Sequence, residues 1–343
     1  MTERIDSLGM WAATMALPEQ VAGALTAADG LKGLPTHEEV ENVVVLGMGG
    51  SGIAGEFVVH VAGQFMPAPV VVCKGYEPPN FVGPGTLCFA LSFSGNTEET
   101  IEAATLAYEA GASLVTITGG GQLGELAADW GSPTVGVPSG IPMPRAGLGA
   151  MLVPVLTVLE DVGLYPGARE WVSEAVQQLR RRRDQLARDE SPARQLARRI
   201  GRTFPLIYGG GGLGTVAAVR WKNQVVENAK APSFYSVVPE LMHNDICGWG
   251  QHGDVTRQIF TLVLLRHDHE HPQVQRRFDL VREWTEEAVG GIESVQAEGD
   301  GPLAQALDLV LFGDVVSLHL AFDAGVDPGP VPVLDQIKTA LGS

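Results

Sequence analysis

One constellation of polar side chains is ENAKAPSFYSVVPELMHNDICGW, residues 227–249, which brings Glu227, Lys230, Glu240, His243, Asn244 and Asp245 close in sequence. A solvated loop would be polar throughout. Here apolar and aromatic residues are interleaved, so the segment reads as partly buried and equipped with carboxylates, an amine and an imidazole. A second group is SFSGNTEET, residues 92–100, where Ser92, Ser94, Asn96, Thr97 and Thr100 follow a strand-like run and lead into a helical pattern. Short hydroxyls and the N–H groups of a helix start can wrap a phosphate, whose charge the helix dipole favours. The plainer reading is a capped helix with Glu98 and Glu99 in its first turn. A glycine-rich loop at another strand end of the same unit favours the phosphate.

That loop contains Gly47, Gly49 and Gly52 in the pattern G-x-G-x-x-G. A dinucleotide site would also need an acidic residue at the end of the next strand to hold the ribose. This chain has Cys73 and Lys74 there, which argues against an NAD-dependent oxidoreductase. Neither a P-loop nor a G-x-S-x-G elbow occurs. His267, His269 and His271 alternate as zinc ligands can, but they precede Pro272 and have no further ligand in a rigid element. No metal and no cofactor are expected.

The elements that must position these groups follow from the apolar runs. Residues 43–47, 69–73, 87–92 and 113–118 read as strands separated by turns or helical pattern, and 147–164 as a closing helix. That alternation describes a parallel, doubly wound α/β sheet. Residues 204–214 and 258–265 repeat the strand-and-loop plan, and 303–322 match the closing helix, so the chain reads as an internal duplication. The expected division is 1–164, an Arg-rich linker helix at 165–200, and 201–343. The second copy carries GGGGLG and LLRHDHEH where the first has its serines, so one site per chain is expected.

The chain has 343 residues, 45% of them hydrophobic and 18% charged, as packed domains do. A formal charge of −17 disfavours nucleic acid and anionic lipid, and Arg180–Arg183 reads as a solvated helix face. Cys73, Cys88 and Cys247 suit reduced thiols. The N-terminus lacks a signal-peptide pattern, and no uninterrupted apolar run reaches the roughly 18 residues of a membrane span. A cytoplasmic protein without a membrane partner is expected.

Six segments taken together, GMGGSGIAGE (47–56), SFSGNTEET, PRAGLG (144–149), ENAKAP (227–232), PELMHNDICGW (239–249) and VDPGPVPVLDQIKTAL (326–341), resemble the bifunctional phosphoglucose/phosphomannose isomerases of the sugar-isomerase (SIS) superfamily. The resemblance implies two tandem SIS domains of flavodoxin-like fold. It also implies an aldose–ketose isomerase interconverting fructose 6-phosphate with glucose and mannose 6-phosphates, working as a homodimer. By the same resemblance Gly50, Ser51, Ser92, Ser94 and Thr97 hold the phosphate, and Glu227, His243, Arg145 and Lys338 are catalytic. Met242 and Asp245 depart from the family's usual P-E-L-N-H-N-E-I. A non-catalytic sugar-phosphate-binding protein of the same fold is the alternative, although it would need neither Glu227 nor His243.

Overall fold

The computed structural model describes residues 5–341. Two short helices, α1 (Met10–Met15) and α2 (Leu17–Ala24), precede β1 (Asn42–Gly47), α3 (Gly49–Phe57), β2 (Val70–Cys73), β3 (Thr86–Ser92), α4 (Glu98–Glu109), β4 (Ser113–Thr118), α5 (Gly121–Trp130), β5 (Thr134–Gly136) and α6 (Leu148–Val162). Helices α7 (Ala168–Leu186) and α8 (Pro192–Ile200) lead to β6 (Phe204–Gly210), α9 (Gly211–Gln224), β7 (Phe234–Val238), α10 (Gly253–Ile259), β8 (Phe260–Arg266), α11 (Pro272–Thr285), β9 (Gly291–Gln296), α12 (Pro302–Asp323) and α13 (Pro332–Leu341).

The strands form two parallel sheets, in order β2-β1-β3-β4-β5 and β7-β6-β8-β9. Each sheet places its first strand beside its third. The glycine loop after that first strand therefore lies next to the loop after the third, where a doubly wound sheet binds ligands. The expected strands are present, and β3 is buried at every position, as strands covered on both faces must be. Strand β8 starts later than expected, because Gln258 and Ile259 close α10.

The chain divides into two compact units along a line different from the expected one. One unit is Ala16–Ser173 with the C-terminal helix α13, and the other is Glu174–Val331 with the N-terminal stretch up to Met15. Helix α7 runs through the division, and the linker is two helices rather than one. The break has a local cause: Ser191 caps α8 by accepting a hydrogen bond from Arg194 N at 3.3 Å, and Pro192 occupies its first turn.

The expected solvated face at Arg180–Arg183 is corrected at one position. Arg182 is 3% exposed and grips Asp308 of α12 at 2.6 Å, with its guanidinium over the Phe312 ring. Removing Arg182 would leave the buried Asp308 carboxylate without its counter-charge. Helix α12 is long and apolar enough to cross a membrane by length and composition, but its most apolar window is entirely buried inside the protein. Helices α1, α8 and α9 cover it.

Candidate active site

In the unit built on the first sheet, two loops meet at the carboxyl edge of β1 and β3. The first turns from β1 into α3 so tightly that a Cβ on Gly52 would sit 2.5 Å from Gly47 O. The second leaves β3 through Gly95, whose φ is 75° and whose added Cβ would lie 1.7 Å from Gly120 O. Only glycine combines that backbone with that closeness.

The hydroxyls tie the loops to each other. Ser51 Oγ accepts from Phe93 N at 3.2 Å, so the start of α3 is fastened to the loop after β3. Ser92 Oγ accepts from Gly95 N at 3.1 Å and shares a 2.9 Å hydrogen bond with Thr97 Oγ1. Ser94 Oγ accepts from Asn96 N, and Asn96 Oδ1 accepts from Gln122 N of α5. Ser51 and Ser92 are buried, Thr97 is half-buried and Ser94 is exposed. The N-cap residues Met48 of α3 and Thr97 of α4 make no side-chain cap hydrogen bond. Thr100, which the sequence groups with these residues, is buried and its hydroxyl has no protein partner.

Arg145 adjoins this edge. It lies in a 3-10 turn, Pro144–Ala146, and a Cβ on Gly50 would stand 3.2 Å from the Pro144 carbonyl and 3.3 Å from Arg145 N. Gly50, Ser51, Ser92, Ser94, Thr97 and Arg145 thus belong to one local assembly. Arg145 is buried and its backbone adjoins the start of α3, where a helix N-terminus can favour an anion. Strand β2 ends at Cys73, and Lys74 pairs with Glu56 of α3. The acidic group that a dinucleotide ribose needs is not at that strand end.

Glu227 and His243 belong to the other unit. Glu227 lies in a π turn, Val225–Ala229, that extends α9, and it is half-buried. His243 closes a 3-10 turn, Glu240–His243, after β7. That turn is anchored by buried Leu241, and Ile246 anchors the next one. The imidazole is exposed, and Asn244 Nδ2 donates to Glu240 Oε1 at 2.9 Å. Lys338 lies on α13, exposed, and groups with the first unit.

The three alternating histidines have separate surroundings. His267 is buried with Nε2 against Gly210 O, and burial lowers its pKa below the ordinary imidazole value. His271 Nδ1 accepts from Gln273 N at the start of α11, and His269 is exposed. Among the described residues no group of three or more metal-ligating side chains converges. Sequence reasoning named Asn96 but did not single out Phe93 N or Gln122 N, the backbone donors that fasten these loops. The signal was a Gly-Asn pair in the loop, since asparagine readily bonds nearby backbone.

Comparison with known proteins gives the family and the fold. Residues 38–127 match the SIS domain model, and residues 189–341 match the model of the bacterial phospho-glucose isomerase C-terminal SIS domain. The fold is shared with the C-terminal domain of glucosamine-fructose-6-phosphate aminotransferase from Francisella tularensis, at a TM-score of 0.71 and 15% identity over 93% of this chain and 96% of that one. The class is thus a tandem SIS protein. A bifunctional phosphoglucose/phosphomannose isomerase of Caldicellulosiruptor bescii is 33% identical over 95% of this chain and 96% of its own length. One from Aquifex aeolicus is 34% identical over 88% and 90%. The chain belongs to the bifunctional phosphoglucose/phosphomannose isomerase family.

Proposed function

We propose that the protein interconverts fructose 6-phosphate with glucose 6-phosphate and mannose 6-phosphate by ring opening and proton transfer through an enediol. The observation that carries the reading is the hydroxyl-lined edge of β1 and β3, where Ser51, Ser92 and Thr97 are linked beside two helix starts without side-chain caps. In this reading Gly50, Ser51, Ser92, Ser94 and Thr97 hold the phosphate.

The chemistry needs a base that removes a C–H proton next to a carbonyl and returns it to the neighbouring carbon. Glu227 is assigned that role. Arg145 stabilises the enediolate oxygens, because a fixed guanidinium strengthens as charge develops. His243 moves the proton that opens the cyclic sugar, and Lys338 assists ring opening or the phosphate. Reprotonation on either face of C2 yields both aldoses.

A homodimer is part of the proposal. It accounts for Val333, Leu334, Ile337 and Leu341, which put an exposed apolar face along α13, and its test is the mass in solution. The proposal extends to a cytoplasmic protein of sugar-phosphate metabolism, at the level of glycolysis and gluconeogenesis.

Glu227→Gln tests the central assignment, since the amide keeps the shape but cannot accept the proton. Turnover and solvent-tritium exchange into fructose 6-phosphate should fall by about 10² to 10⁴ while binding is retained. Exchange near the wild-type rate would move the base elsewhere, with Glu240 next in line.

A further inference from the structure

Glu227 is not presented by ordinary α-helix. Helix α9 ends at Gln224, and the chain widens into the π turn Val225–Ala229 before Lys230 stops it with a left-handed φ of 55°. Wide turns of this kind are rare, cost energy and persist where surrounding contacts over-determine them. Relaxing the turn to the α path would swing the side chains around the helix axis by an angle on the order of one residue step, about 100°. What holds the turn therefore also aims Glu227.

Two side chains near Glu227 hold it. Asn228 is 1% exposed and donates through Nδ2 to Ser317 Oγ of α12 at 2.9 Å. Ser317 Oγ in turn donates to Asp314 O at 2.6 Å. The Asp314 carboxylate accepts two hydrogen bonds from Arg220 of α9, at 3.1 and 2.7 Å. A buried polar chain thus ties α9 to α12 and ends on the residue beside the carboxylate. On the other side Lys230 Nζ donates to the carbonyl of Glu227 itself and, at 3.3 Å, to Pro328 O. Its ammonium ties the end of the turn to the segment after α12.

We infer that Asn228 and Lys230 are positioning residues, two pins that fix the direction of the Glu227 carboxylate by holding the π turn against α12 and the segment after it. The inference rests on Glu227 being the base. A base displaced by about 1 Å loses on the order of 10² in rate, whereas substrate binding through a separate phosphate loop is spared. The pins therefore act on kcat.

The test compares Lys230→Met, Lys230→Arg, Asn228→Leu and Glu227→Gln in the full-length protein with fructose 6-phosphate and its C1-deuterated form. Lys230→Met keeps the aliphatic stem and loses the donor. It should lower kcat by about 10- to 100-fold, with KM changed less than about 3-fold and a larger deuterium isotope effect as proton transfer becomes limiting. Lys230→Arg should recover most of the loss, and Asn228→Leu should behave like Lys230→Met. Should Asn228→Leu fail to fold, the exposed Lys230 variants decide. The positioning role is overturned if Glu227→Gln is inactive while Lys230→Met keeps wild-type kcat and isotope effect. A change confined to KM overturns it too, since Lys230 would then be a substrate contact. If Glu227→Gln still exchanges protons, the base assignment fails and the pins fall with it.

Discussion

The two glycine loops share one backbone plan and differ in what fills it. In the first, Gly47 pairs in register with Leu91 of β3, and in the second Gly209 pairs with Leu265 of β8. Counting from that register, Gly49 matches Gly211 and Gly52 matches Gly214. Both Gly49 and Gly211 have positive φ. Ser51 falls opposite Leu213, Ser92 opposite Arg266 and Ser94 opposite Asp268. Where Phe93 N donates to Ser51 Oγ, His267 N donates to Glu270 Oε1. The His267 imidazole rests on Gly210 O, 3.3 Å from where a Cβ on Gly211 or Gly214 would be. Arg266 is spent on Glu270 and Asp268 on Gln305. One backbone thus carries a hydroxyl-lined loop where serines fill it and a closed structural joint where a histidine does.

The largest expected effect crowds one tightly packed glycine in each unit. Gly95→Ala forces a Cβ into Gly120 O at a φ of 75° and should cost about 3 kcal/mol or more of stability. Gly209→Ala meets Gly214 O at 2.0 Å and should lose stability on the same scale, read from thermal unfolding of both variants. If Gly209→Ala unfolds like wild type, the close approach of Gly209 to Gly214 O does not constrain that loop.

The next effect separates their roles. Removing the Ser94 and Thr97 hydroxyls should raise KM for fructose 6-phosphate by about 10- to 100-fold and lower kcat less, because phosphate contacts act in ground and transition states alike. Asp268→Asn in the second loop should leave KM unaltered. A pure kcat effect in the first loop would remove its phosphate assignment.

His267→Gln addresses the joint. At neutral pH it should cost about 1 kcal/mol through the altered contact with Gly210 O. Burial lowers the folded pKa of His267, so below the ordinary imidazole value of about 6.5 the unfolded chain binds a proton that the folded chain does not yet bind. The wild type then loses stability that the variant does not have to lose. Urea unfolding at pH 7.5 and pH 5 should show the gap between the two proteins narrowing as pH falls. A gap constant with pH would mean that this imidazole does not titrate differently on folding.

The smallest expected effect is none: turnover should be unchanged by EDTA. Loss of activity on chelation would return His267, His269 and His271 to the site.

How much was legible in advance varied with the range of the interaction. The run VVVLG, the glycines after it and the hydroxyls of SFSGNTEET are local signals, and they located β1, the α3 turn and the loop after β3. The Ser191-Pro192 break was equally local, although the continuous Arg-rich pattern around it masked the signal.

Other features depended on partners far along the chain. Nothing near Arg182 announces Asp308, so its burial could not be read from the Arg run. His267 looks like a loop histidine until Gly210 stands against it. The π turn that carries Glu227 is held by Ser317 and Pro328, about 90 residues away or more, and residues 225–229 read alone are simply the end of a helix. Periodicity and turn chemistry, which act over a few residues, determined the alternation of strands and helices, the glycine loops and the identity of the polar groups. The tertiary structure decided which of those groups are buried and how each loop is tied, because burial and pairing depend on residues that only the folded chain brings together.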